Sequence, residues 1–139
     1  MNVLDIHHEF EHRSFDVVLA CDLLEHLEAE AGLLLLRKME GIARRRVVIL
    51  TPNGFLPQDE RSNNPLQEHR SGWTPAQMRN LGYEVLGVNG LRFLRGELGL
   101  LRWRPRGIWS FVSDVSRPVV FHRPEWAFHM LCVKYVDPN

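Results

Sequence analysis

The run Cys21-Asp22-Leu23-Leu24-Glu25-His26 sets two carboxylates and an imidazole within five positions, 22 to 26. Three chemistries are open to such a group. Asp22, Glu25 and His26 offer oxygen and nitrogen ligands to a metal ion. His26 could instead serve as general base for a substrate hydroxyl, because a histidine ordinarily titrates near neutrality. In the third reading the group is structural: Glu25 favours the start of a helix and His26 bonds locally. Farther along, His69 stands in Gln67-Glu68-His69-Arg70, a polar loop segment that could close over an acceptor or have no role at all. Asn53, in the turn Thr51-Pro52-Asn53-Gly54, belongs to the same set of loops. His7, His8 and His12 lack the spacing of a helical zinc motif and read as a solvated polar stretch. No metal site is expected.

These side chains need elements to hold them. Phe15–Cys21 (FDVVLAC) is a continuous apolar run, as for a strand buried on both faces. From Glu28 to Arg44 apolar residues recur at helical spacing, with acids early and arginines at the end, which suits the helix dipole. Val47–Leu50 is a second buried strand, stopped by the turn at Thr51–Gly54. Strand, helix, strand predicts a parallel pair with a crossover. Thr74-Pro75 predicts a helix start and Gly82 its stop. Tyr83–Val88 reads as a third strand, Gly107–Val115 as a short helix, and Trp126–Val136 as the last strand. Asn2–Ile6 is also strand-like. At the ends of buried parallel strands ligands gather, which places Cys21 and Asp22 near any bound molecule.

The chain has 139 residues and zero formal net charge. That suits one domain and gives no general attraction to nucleic acid. No run is apolar for long enough to span a membrane, and the first ten residues lack a signal core, so a cytoplasmic protein is expected. Cys21 and Cys132 read as small core residues in a reducing compartment, with a disulfide as the alternative. Arg92, Arg95, Arg102, Arg104 and Arg106 interleave with Trp103 and Trp109. This pattern fits single-stranded nucleic acid, an interfacial segment against a lipid-linked substrate, or a substrate cap with solvated arginines.

The run FDVVLACDLLEHL closely resembles the fourth strand and following turn of class I S-adenosylmethionine-dependent methyltransferases. Arg46–Gly54 is similar to that family's fifth strand and exit loop, Ser71–Phe93 to its final helix and sixth strand, and Ala127–Tyr135 to its seventh strand. The resemblance implies an α/β, truncated Rossmann-like sheet, mostly parallel with an antiparallel last strand. It implies one partial domain, with 1–89 and 126–136 as core and 90–125 as an insertion or cap. The implied cofactor is S-adenosylmethionine, with Asp5 and Ile6 at the adenine and Cys21 and Asp22 nearby. The implied activity is methyl transfer to a small-molecule or lipid-like acceptor, with His26 and His69 as catalytic residues. The family's glycine-rich cofactor turn has no counterpart before Phe15, so the expectation is a C-terminal half of the fold. An exposed apolar edge on the Phe15–Cys21 strand would then template pairing, and a homodimer or a partner chain is expected there. The alternative function is an interaction module without catalysis.

Overall fold

The computed structural model describes residues 3–56, 68–95 and 103–136, with the side chain of His7 left aside. Four strands form one sheet: β1 (Phe15–Cys21), β2 (Ala43–Pro52), β3 (Glu84–Leu91) and β4 (Ala127–Tyr135), in the order β1-β2-β4-β3. β1 and β2 pair in parallel, with Val18 opposite Val47 and Cys21 opposite Leu50. β4 runs antiparallel to both β2 and β3. Three strands thus share one direction, and the last strand is inserted between two of them against it.

The elements follow from local chemistry. α2 (Ala29–Ile42) buries Gly32, Leu35, Leu36, Met39 and Ile42, the face that a 3.6-residue period sets against a sheet. β2 lies at the centre, where Val47 and Ile49 are fully buried with Met130 and Cys132 of β4. α3 (Pro75–Asn80) begins with a complete capping box: Thr74 Oγ accepts from the Gln77 N–H, and the Gln77 side chain accepts from the Thr74 N–H. The chain leaves it through Gly82 at φ +87°, a left-handed position that favours glycine. α4 (Arg106–Val115) and α5 (Arg117–His122) fill the segment before β4.

Three expectations are corrected. The strand expected over Asn2–Ile6 is not formed by its described residues, Asn2 lying outside them: Val3–Asp5 is a 3-10 turn running into the short helix α1 (Ile6–Glu9). The reason lies in its neighbours, since this segment packs against α2, with Lys38 Nζ donating to the Leu4 carbonyl. β1 is not buried on both faces. It is an edge strand whose Phe15, Val17 and Leu19 are exposed while Ala20 is buried. Cys21 ends that exposed face and is itself exposed, so only Cys132 is a core cysteine, and both thiols are free.

Candidate functional site

The site is built where β1 and β2 end. β1 stops at Asp22, whose φ of +46° turns the chain sharply while its N–H donates to the Leu50 carbonyl at 2.9 Å. The strand direction is thereby broken within one residue, and Leu24–His26 coils into a 3-10 turn. That turn sinks Leu24 and Glu25 into the protein and leaves His26 half-buried.

Glu25 is only 3% exposed. Its Oε2 accepts a hydrogen bond from Thr51 Oγ1, on β2, at 3.0 Å. Burial raises the Glu25 carboxyl above its ordinary range; its own backbone N–H and Thr51 oppose this, and the nearby charge of Asp22 adds to it. The backbone carbonyl of Glu25 has a separate task. It accepts from the N–H groups of Arg70 (2.8 Å) and Ser71 (3.1 Å). Ser71 Oγ donates to the Leu24 carbonyl, and Trp73 Nε1 donates to Ser71 Oγ. Trp73 fits against Gly32 of α2, where an added Cβ would come within 2.6 Å of the indole. The loop segment 68–73 is therefore stitched onto the turn that carries Glu25 and His26.

This stitching brings the two candidate histidines together. Their ring centroids are 5.0 Å apart, edge to face. His26 Nδ1 lies 3.1 Å from the Glu68 carbonyl and His69 Nδ1 lies 2.7 Å from the Leu56 carbonyl. A carbonyl only accepts, so each Nδ1 carries a proton, and in the neutral ring Nε2 keeps its lone pair. A histidine held this way is an oriented base or an oriented ligand. Ligand atoms of Glu25, His26 and His69 lie within 4.8 Å of one another. One carboxylate oxygen and two imidazole nitrogens are a donor set suited to a divalent cation.

The remaining candidates scatter. Cys21 and Asp22 are exposed at the end of β1. Asp22 Oδ1 is 3.8 Å from His129 Nε2 of β4, and Asn89 Nδ2 is 3.1 Å from His129 Nδ1. Burial lowers the His129 pKa, opposed by Asp22 and reinforced by Arg95. Of the residues expected at the adenine, Ile6 is 8% exposed within the core, and Asp5 is exposed one residue before it. Asn53 is structural. Its Nδ2 donates to the carbonyls of Pro124, Glu125 and Ala127 and ties the exit of β2 to the start of β4. His8 and His12 are exposed and join no cluster of metal-ligating residues among the described residues.

Thr51, Ser71, Trp73 and His129 escaped the sequence reading as site residues. Thr51 was legible only as the first residue of a turn, and His129 as one polar residue in an apolar strand. Ser71 and Trp73 act through a loop whose docking no periodicity announces.

No family model matches the chain, and neither does any curated protein sequence. Solved structures do resemble it. A SAM-dependent methyltransferase from Archaeoglobus fulgidus superimposes with a TM-score of 0.55 at 14% identity, over 97% of this chain and 65% of that one. The small RNA methyltransferase HEN1 superimposes with a TM-score of 0.53 at 15% identity, over 97% of this chain and 15% of that one. At such identities the likeness is one of fold. The chain spans less than two thirds of the length of either.

Proposed function

We propose that this chain carries the acceptor side of a methyltransferase fold, and that Glu25, His26 and His69 form its proton-handling centre. The observation that carries the reading is the pair of Nδ1-anchored histidines beside a buried carboxylate, at the end of the sheet where α/β folds place ligands. Methyl transfer to a hydroxyl asks the protein chiefly to position the acceptor and remove one proton. The Nε2 lone pair of His26 or His69 would take that proton. Glu25, held by Thr51, would stabilise the positive charge formed.

S-adenosylmethionine is the methyl donor the fold suggests, supplying a methyl group on a sulfonium. The described residues fit it in part. Cys21 and Asp22 stand exposed where β1 ends, as a ligand at that edge requires. Ile6 is committed to the core, and no glycine-rich strand-to-helix turn is present among the described residues. Among the described residues, Cys21 and Asp22 are thus those placed to meet the methionine end of the cofactor.

The experiment is transfer of labelled methyl from S-adenosylmethionine to a panel of hydroxylated small molecules, lipid-like alcohols and short RNAs. RNA belongs in the panel because one structural neighbour is described as a small RNA methyltransferase. His26→Gln and His69→Gln should each lower transfer by roughly 10²–10⁴-fold with unchanged circular dichroism. Full transfer by both variants would remove the histidines from the chemistry.

A second reading rests on the mutual approach of three ligand atoms. Glu25, His26 and His69 would hold a divalent cation, and the cation would position the acceptor and lower the pKa of its hydroxyl.

A further inference from the structure

α4, the first helix of the segment before β4, is built inside out. α4 presents Ile108 (60% exposed), Phe111 (70%) and Val115 (60%) to solvent, whereas its Ser113 is 2% exposed. A surface helix normally does the reverse. The chain passes through Ser116 in right-handed helical geometry, and the Ser116 and Val120 N–H groups donate to the Val112 and Ser116 carbonyls at 3.0 Å. α4 and α5 therefore continue one another. Ile108, Phe111, Val115 and Val119 follow at steps of three and four residues, which places them on one face.

The opposite face is fixed to the sheet. Ser113 sits over Gly90, where an added Cβ would come within 2.4 Å of its Oγ, and the Val120 carbonyl sits 1.9 Å from where a Cβ on Gly87 would be. The outward face is thus not free to roll inward. Just before α4, Trp103 is 45% exposed and packs edge to face on Trp109, with ring centroids 4.8 Å apart.

Charge says what would cover this face. Between Trp103 and Arg123 the sequence carries four arginines (Arg104, Arg106, Arg117 and Arg123) and one acid, Asp114. That acid is closed by Arg117 at 2.8 Å. An apolar face of phenylalanine and branched residues, with exposed Arg104 and Arg106 at its start, matches the chemistry of an anionic bilayer surface. Among the described residues no helix is long and apolar enough to cross a membrane, so the contact would be interfacial.

We infer that the face carrying Ile108, Phe111, Val115 and Val119 docks on the surface of anionic lipid membranes, with Ile108, Phe111 and Val115 entering the headgroup boundary and the arginines meeting lipid phosphates. This inference is independent of the methyl-transfer reading.

The test is co-sedimentation of the whole chain with vesicles of phosphatidylglycerol and phosphatidylcholine in equal parts, against vesicles of phosphatidylcholine alone. Binding is expected to the anionic vesicles and to weaken in high salt. Phe111→Asp and Ile108→Asp replace exposed side chains, so the fold should be kept, and each should lower the partition coefficient by about tenfold or more. Arg104→Gln with Arg106→Gln should lower it by about fivefold per arginine on anionic vesicles only. Wild-type protein left in the supernatant would overturn the inference, as would Phe111→Asp binding as well as wild type. Light scattering is run alongside. Self-association lost in Phe111→Asp, without vesicle binding by wild type, would make the face a contact between copies of this chain and equally overturn it.

Discussion

The His26 and His69 rings stand 5.0 Å apart, each tethered through Nδ1 to a carbonyl of the loop that approaches the end of β2. The tethers are cross-linked by the backbone: Glu25, the neighbour of His26, accepts from the two residues that follow His69. The two histidines thus stand on hydrogen-bonded neighbouring backbone segments. Both rings are therefore expected to be Nδ1–H tautomers in their neutral form. Long-range ¹H–¹⁵N correlation spectra check this. In His26→Gln, the His69 resonances should shift, and resonances of His122, on α5, should not.

Thr51 Oγ1 is the donor that reaches the buried oxygen of Glu25. Thr51→Val keeps the shape and removes the hydroxyl, leaving a buried acceptor unpaired. The expected loss of unfolding free energy in chemical denaturation is about 1–3 kcal/mol. Thr51→Ser should recover most of it. A Thr51→Val protein as stable as wild type would mean that Glu25 finds another donor.

The raised Glu25 pKa has a defined sign. The folded protein holds this proton more tightly than the unfolded chain does, so the favourable contribution is complete below the ordinary glutamate value of 4.5. It is lost as pH rises through the raised folded value. Glu25→Gln is neutral at every pH. Its stability relative to wild type should therefore increase as pH rises from below the ordinary glutamate value toward neutrality. The check is paired thermal melts across that range. A difference that is flat with pH would contradict the raised pKa.

The two thiols should separate cleanly. Cys21 is exposed, whereas Cys132 is fully buried and its thiol is pushed up to about 12 by burial. Only the thiolate attacks a disulfide reagent. An aromatic disulfide reagent should titrate one thiol per native chain, and two after denaturation. Rapid reaction of both in the native protein would contradict the placement of β4 at the centre of the sheet.

If Glu25, His26 and His69 hold a cation, manganese or zinc should raise the melting temperature of wild type. At about a hundredfold excess over the dissociation constant, the stabilisation is about 2.7 kcal/mol. His69→Gln should abolish most of it. Equal stabilisation of wild type and His69→Gln would leave the base as the only reading of the cluster.

Much of the fold was legible because its signals are local. The apolar run of β1, the Thr74-Pro75 start of α3 and the Gly82 stop each act within a few residues, and the structure follows them closely, whereas β2 runs from Ala43 to Pro52 and takes in Arg44–Arg46, which read as the end of the helix. Asn2–Ile6 misled because an apolar run of that length suits a strand or a short helix, and contact with α2 decided between them. The double burial expected of β1 depended on neighbours that local pattern cannot report. In the site, Glu25, His26 and His69 stood out by residue type. Their convergence rests on Glu25 backbone bonds to Arg70 and Ser71, and backbone bonds between distant loops leave no trace in residue spacing.

The central proposal is that this chain carries the acceptor side of a methyltransferase fold, with His26 and His69 beside the acceptor. Calorimetric titration with S-adenosylhomocysteine tests it most directly. With Cys21 and Asp22 exposed at the end of β1 and no glycine-rich turn among the described residues, the account predicts weak binding, with a dissociation constant on the order of 0.1 mM. Asp22→Ala should weaken it by about tenfold, and His69→Gln should leave it essentially unchanged. No heat up to millimolar ligand, or equal loss of binding in both variants, would contradict it.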